Sequence, residues 1–226
     1  MSDASIKVAI VDRPLVVSGL GRAFEQSGFD IVGGVTNGAD LIELLDQHTC
    51  DVVVSNYLAA RRDALDGWRF LSSLTTLHSG LPVVVYSEIE DPFLMGSLAQ
   101  RNVAGIVSKR EEIQEVVDAV RAAARGRRYR SPIVEAALDR FSTEREMRRF
   151  GLLTPRQMEV IGLMLCGLSI VETSRLLRCG TSTISKRRII ACQQMGFPCE
   201  ADLLRFVSNH GLSLDRADAA HEFHWA

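Results

Sequence analysis

The chain has 226 residues, 46% of them hydrophobic and 24% charged, and a formal net charge of −2; this length suits two modules of about 100 residues, and the composition excludes a disordered or fibrous chain. No apolar run reaches the ~18 residues of a membrane span, and Met1-Ser2-Asp3 lacks the basic-then-apolar start of a secretory signal, so a cytoplasmic protein without a membrane partner is expected. Charge is unevenly distributed: residues 1–125 hold 11 Lys and Arg against 17 Asp and Glu, residues 126–150 hold 7 against 4, and residues 151–226 hold 8 against 7. Cys50, Cys166, Cys179, Cys192 and Cys199 form no C-x-x-C pair, which argues against a zinc site and a disulfide framework and reads as free thiols. No metal, cofactor or catalytic constellation is expected.

The first 125 residues alternate short apolar runs with amphipathic stretches, the pattern of βα units around a parallel sheet. Strands are predicted at 7–11, 31–35, 51–55, 82–86 and 105–108, with helices at about 14–27, 38–48, 67–79, 92–101 and 111–125. Val52-Val53-Val54 and Val83-Val84-Val85 are apolar on both faces, as buried parallel strands are. The expected fold is a doubly wound, five-stranded α/β domain whose site lies at the carboxyl ends of the strands. Residues 126–150, with Gly126, the arginine run 125–130 and one short helix at 132–141, read as an interdomain linker.

From Thr154 the pattern is purely helical. Thr154-Pro155 is an N-cap with proline in the first turn, and Met158, Ile161, Met164 and Leu165 mark an apolar face. Gly167 ends that helix, Ser169 caps the next, and Arg178-Cys179-Gly180 forms a turn into a third helix at about 181–195. A fourth helix follows at about 200–209, which makes an all-α, four-helix domain with a helix-turn-helix at 151–214. The third helix crowds Thr181, Ser182, Thr183, Ser185, Lys186, Arg187 and Arg188 into its first two turns. Donors near a helix N-terminus suit a helix that reads base edges and phosphates, so double-stranded promoter DNA is the expected partner. Ile184 and one of the later apolar positions are expected to anchor it. The tail at 215–226, including His221 to Trp225, is expected to be disordered.

Residues 154–196 resemble the LuxR/NarL-type DNA-binding domain of response regulators through Thr154-Pro155-Arg156, Glu159-Val160, Gly167-Leu168-Ser169 and Thr183-Ile184. Within that family the chain looks most like the Rcs-type capsule regulators. It departs at Thr173-Ser174, where Ile-Ala is frequent, at Gly180, where serine is usual, and at Arg187, where histidine or glutamine is common.

The first ~120 residues resemble a two-component receiver, with Asp12-Arg13, Asn56, Ser87 and Lys109 following successive strands. In such receivers an aspartate after the third strand accepts a phosphoryl group and an acidic pair after the first helps bind Mg²⁺. The resemblance puts Asn56 at the acceptor position and Arg13 in place of the second acid. An amide has no anionic oxygen with which to attack phosphorus, and Mg²⁺ prefers carboxylate oxygens. Asp51 opens its strand, and Asp63 and Asp66 belong to the following loop, so none replaces Asn56. Either the pocket residues merely satisfy one another, or Arg13 paired with Asp12 imitates a bound cation and holds one conformation without phosphate. The sequence therefore predicts a non-enzymatic, DNA-binding transcription regulator with a degenerate receiver, acting independently of phosphorylation as a homodimer. The alternative is an auxiliary subunit that heterodimerises with another response regulator.

Overall fold

The computed structural model describes residues 5–57, 68–88, 91–101, 103–143 and 147–209. Asp63, Asp66 and the tail at 215–226 lie outside the described residues. Two compact units emerge, and neither is one continuous stretch of chain. The first comprises the described parts of Met1–Glu88 and Val103–Ser131, the second those of Ile89–Asn102 and Pro132–Ala226.

The first unit carries strands β1 (Lys7–Val11), β2 (Asp30–Val35), β3 (Val52–Ser55), β4 (Val83–Ser87), β5 (Gly105–Ser108) and β6 (Tyr129–Arg130). They form one parallel sheet in the order β2-β1-β3-β4-β5-β6. The order reverses between β1 and β3, which opens a crevice at their carboxyl ends. Helices α1 (Pro14–Gln26), α2 (Gly38–Gln47), α3 (Trp68–Leu77) and α5 (Ile113–Ala124) belong to the same unit. Every residue of β3, β4 and β5 is buried, as strands covered on both faces must be. Leu20 and Phe24 of α1 and Val116, Val117 and Val120 of α5 pack with Val8, Ile10 and Val54 of the sheet in one core. At the β2 edge a Cβ on Gly33 would fall 2.8 Å from Leu44 Cδ2, so the missing side chain lets α2 close on the strand.

The sixth strand was not expected; its residues read as linker. Without it the outer edge of β5 would leave backbone groups unpaired. Tyr129 N donates to Ala104 O at 2.9 Å, Ser131 N to Ile106 O at 3.1 Å, and Ser108 N to the buried Ser131 Oγ at 3.2 Å. Tyr129 Oη donates to Glu115 Oε2 on α5 at 2.7 Å, fixing the strand to the neighbouring helix.

The second unit contains α6 (Pro132–Thr143), a 3₁₀ turn at Met147–Leu152, α7 (Pro155–Leu165), α8 (Ile170–Leu177), α9 (Thr181–Gln194) and α10 (Glu200–Asn209), and also α4 (Pro92–Ala99). Capping boxes at Thr154 with Gln157 and at Ser169 with Glu172 start α7 and α8. Gly167 takes φ +88°, and Arg178 is left-handed at φ 45°, which turns the chain out of each helix.

Helix α7 is buried from Gln157 to Leu165, all the way round. Met158, Ile161, Met164 and Leu165 pack with Ala191, Cys192, Met195 and Leu203, as its apolar stripe predicts. The other side faces α4, whose residues Pro92 to Leu98 are all buried. A Cβ on Gly162 would meet Asp91 Oδ1 and Leu94 Cγ, both at 2.6 Å, so glycine sets the approach. Glu159, fully buried, accepts from Arg156 Nη1 at 2.8 Å and Arg101 Nη2 at 3.2 Å. Phe93 and Phe150 meet edge to face at 4.8 Å, and Phe150 adjoins Phe197 and Phe206, over which Arg149 stacks. Part of the expected linker therefore fills the core of the second unit.

Candidate functional site

The strand ends of the first unit gather the predicted pocket residues. Asp12, Asn56 and Ser87 are all buried there. Lys109, following β5, reaches Asp12 with Nζ 2.7 Å from Oδ2, and both side chains are almost fully enclosed. The second oxygen of Asp12 accepts from the backbone N–H of Arg13 at 2.7 Å. Asp12 thus has one oxygen on an ammonium and the other on an amide.

Arg13 does not carry out the expected pairing with the Asp12 side chain. Its Nη2 bonds to Glu88 Oε1, and the guanidinium is half exposed. Lys109 already occupies the free oxygen of Asp12, and Glu88 directly follows Ser87 at the end of β4, within reach of the long arginine side chain. Sequence reasoning missed Glu88, although its position beside Ser87 was a usable signal. Tyr86 adds to the site: Lys109 Nζ sits 5.5 Å from its ring centroid, and burial, with the nearby Asp12 and Glu88 charges, raises the pKa of its phenol. The pocket contains two cations and two carboxylates already matched to one another.

The second site is the surface of α9. Thr181, Ser182, Thr183 and Lys186 are exposed, while Ser185 and Arg187 are half-buried. Gly180 precedes the helix without a side-chain cap, in the extended conformation φ −59°, ψ 145°. Ile184, Arg188, Ala191 and Cys192 face inward. Arg188 therefore departs from the other six expected DNA contacts: it is 9% exposed, and its Nη2 pairs with Glu200 Oε2 at 2.7 Å, tying α9 to α10. Counting one turn on from Ile184 gives 188, and two turns give 191 and 192, so the helical period itself marks Arg188 as inward. The same count puts Ile189 and Ile190 outside, 50% and 47% exposed. Ala191 and Cys192 are the later apolar positions that join Ile184 on the inward face.

Two of the thiols fit a structural role. Cys166 and Cys192 are buried, and burial, with Glu200 nearby, pushes the Cys192 thiol up to about 11, away from reactive thiolate. Among the described residues no cluster of three His, Cys, Asp or Glu side chains could hold a metal ion, and no helix is long and apolar enough to cross a membrane.

Known proteins agree with this architecture. The model of the response regulator receiver domain matches residues 8–121. A probable transcriptional regulatory protein NarL of Mycobacterium tuberculosis is 29% identical over 168 residues, 73% of this chain and 76% of its own. The response regulator UvrY of Escherichia coli is 25% identical over 211 residues, 92% of this chain and 95% of its own. Among solved structures, RcsB of Salmonella typhimurium, described for conformational dynamism in DNA interaction, aligns with a TM-score of 0.72 at 22% identity, over 93% of this chain and 99% of that one. RcsB of Salmonella enterica serovar Typhimurium bound to promoter P1flhDC aligns with the same score and identity, over 91% and 99%. The structural likeness carries the two-part fold, and the matched receiver carries the family: the chain belongs to the response regulators, and its similarity runs to those of the LuxR/NarL type.

Proposed function

We propose that this response regulator is a sequence-specific DNA-binding transcription factor that reads DNA through the outward face of α9 and acts without phosphorylation. The observation that carries the reading is the composition of that face: Thr181, Ser182, Thr183, Ser185, Lys186 and Arg187 supply donors, and Thr181–Gln194 contains no acidic residue. Such a helix meets a phosphate-lined groove without like-charge repulsion, and its N-terminal dipole favours the phosphates. RcsB, which shares the fold, has been solved on promoter DNA and as two dimers bound to two parallel DNAs. Dimeric binding to paired half-sites in the cytoplasm is part of the proposal.

Independence from phosphorylation is supported by the pocket. Asn56 stands at the end of β3 with an amide where a nucleophilic carboxylate would be needed. The donor set does not fit Mg²⁺: Asp12 is held by Lys109, Glu88 by Arg13, and Asn56 adds no charge. The matched ion pairs instead hold one arrangement of the strand ends with no ligand.

The test is binding of the purified full chain to a pool of random duplexes, followed by anisotropy against salt. Affinity falls steeply with salt, with a slope of about 0.9 in log K per neutralised phosphate. Lys186→Ala costs roughly 1–3 kcal/mol if the ammonium reaches a base edge. Salt-insensitive binding, or unchanged binding by Lys186→Ala with Arg187→Ala, refutes the reading. Binding that begins only when a second response regulator is added favours the auxiliary-subunit role instead.

A further inference from the structure

The outward face of α9 contains more than donors. Ile189 and Ile190 are 50% and 47% exposed, on a helix whose other apolar side chains are buried. By the 3.6-residue period they flank the line through Ser182, Lys186 and Gln193, one isoleucine on each side. The apolar pair is thus continuous with the polar reading surface, and the nearest charges on the helix are basic. A surface for a protein partner of mixed charge would not need an acid-free helix; a polyanion does.

We infer that Ile189 and Ile190 are specificity residues that read thymine, by packing against the C5-methyl groups that A·T pairs project into the major groove. The inference rests on the DNA-reading role of α9 and deepens it. The thymine methyl is the apolar feature of the major-groove edge, and neither an amide nor a guanidinium recognises it. Isoleucine offers two rotamer-restricted branches, so its methyls are held in place before contact. Lys186 and Ile190 are four residues, or about 6 Å, apart along the helix axis, close to two base steps of ~3.4 Å. The half-site therefore carries thymine within about two steps of the pair that Lys186 contacts. Ile189, on the other side of the stripe, reaches the opposite wall of the groove.

The experiment uses the full-length protein and duplexes enriched from a random pool. Each thymine in the enriched duplex is replaced in turn by deoxyuridine, which removes the methyl and leaves every hydrogen-bonding group in place. Wild type loses about fourfold in affinity at one or two positions, the ordinary worth of one buried methyl. The Ile189→Ala/Ile190→Ala variant binds the unmodified duplex correspondingly less well and is indifferent to deoxyuridine at those positions. Its thermal melt matches wild type, because both positions are exposed. A wild type indifferent to deoxyuridine overturns the inference without any variant, as does a double-alanine protein that stays as sensitive as wild type. Loss of self-association by the variant, with no thymine dependence, assigns the pair to a second copy and overturns it too. Failure to enrich any duplex removes the DNA reading itself; enrichment without thymine dependence removes only the role of the isoleucines.

Discussion

Asp91 offers the sharpest physical test of the second unit. It is fully buried, caps α4 by accepting from Leu94 N at 2.9 Å, and has no hydrogen-bond partner for Oδ2 among the described residues. Burial pushes its carboxyl up to about 7 from 3.8, against the smaller lowering effect of the Leu94 and Phe93 amides. The folded state then keeps a proton through the pH range in which the unfolded chain has released it. Stability from this group is greatest below about pH 4, falls as pH rises towards 7, and levels off above. At ~1.4 kcal/mol per pH unit the whole loss is on the order of 4 kcal/mol, of which about 3 kcal/mol accrues between pH 5 and 8. Asp91→Asn keeps the capping oxygen and cannot ionise. Urea denaturation of both proteins by circular dichroism across pH 5–8 reads the difference, and contributions from the groups the two proteins share cancel in it. The stability of Asp91→Asn relative to wild type rises by about 3 kcal/mol over that range. A constant gap, or one that closes with rising pH, refutes the buried-carboxylate argument.

Two further substitutions separate structural from functional residues. Gly162→Ala places a methyl 2.6 Å from Asp91 Oδ1 and Leu94 Cγ, and its overpacking cost of about 1–3 kcal/mol exceeds the ~1 kcal/mol gain in helix propensity; a lower thermal midpoint is expected, and a higher one contradicts the packing of α4 on α7. Arg188→Met removes the partner of a half-exposed Glu200 and costs about 1–3 kcal/mol of stability, whereas Lys186→Ala changes stability by less than ~0.5 kcal/mol while weakening DNA binding. Equal effects of the two on stability contradict their assignment to opposite faces of α9.

Much of this molecule could be read from its residues, because the relevant signals are local. Apolar triplets fixed β3 and β4, Thr154-Pro155 and Ser169 marked two helix starts, and the strand-end positions of Asp12, Asn56, Ser87 and Lys109 followed from the βα rhythm. What escaped depends on contacts distant in sequence. β6 exists because the edge of β5 needs partners, and nothing in Tyr129-Arg130 alone reveals that. The membership of α4 in the second unit had a usable signal in Pro92 to Leu98, a run too apolar for a helix with one face in water. The inward place of Arg188 was legible from helical phase, but residue type was weighed above position. Glu88 beside Ser87 was a usable signal for the site, but the choice of Arg13 between Asp12 and Glu88 depends on the pairing of Asp12 with the distant Lys109.

The proposed function joins DNA reading to the absence of a phosphoryl switch. The direct measurement is the affinity of the purified full chain for its enriched duplex before and after incubation with acetyl phosphate and Mg²⁺, with intact-protein mass recorded on the same samples. The pocket described here predicts tight binding from the outset, no phosphoryl group added, and an unchanged Kd. Binding that appears or tightens tenfold only after treatment, together with a phosphorylated protein mass, would contradict it.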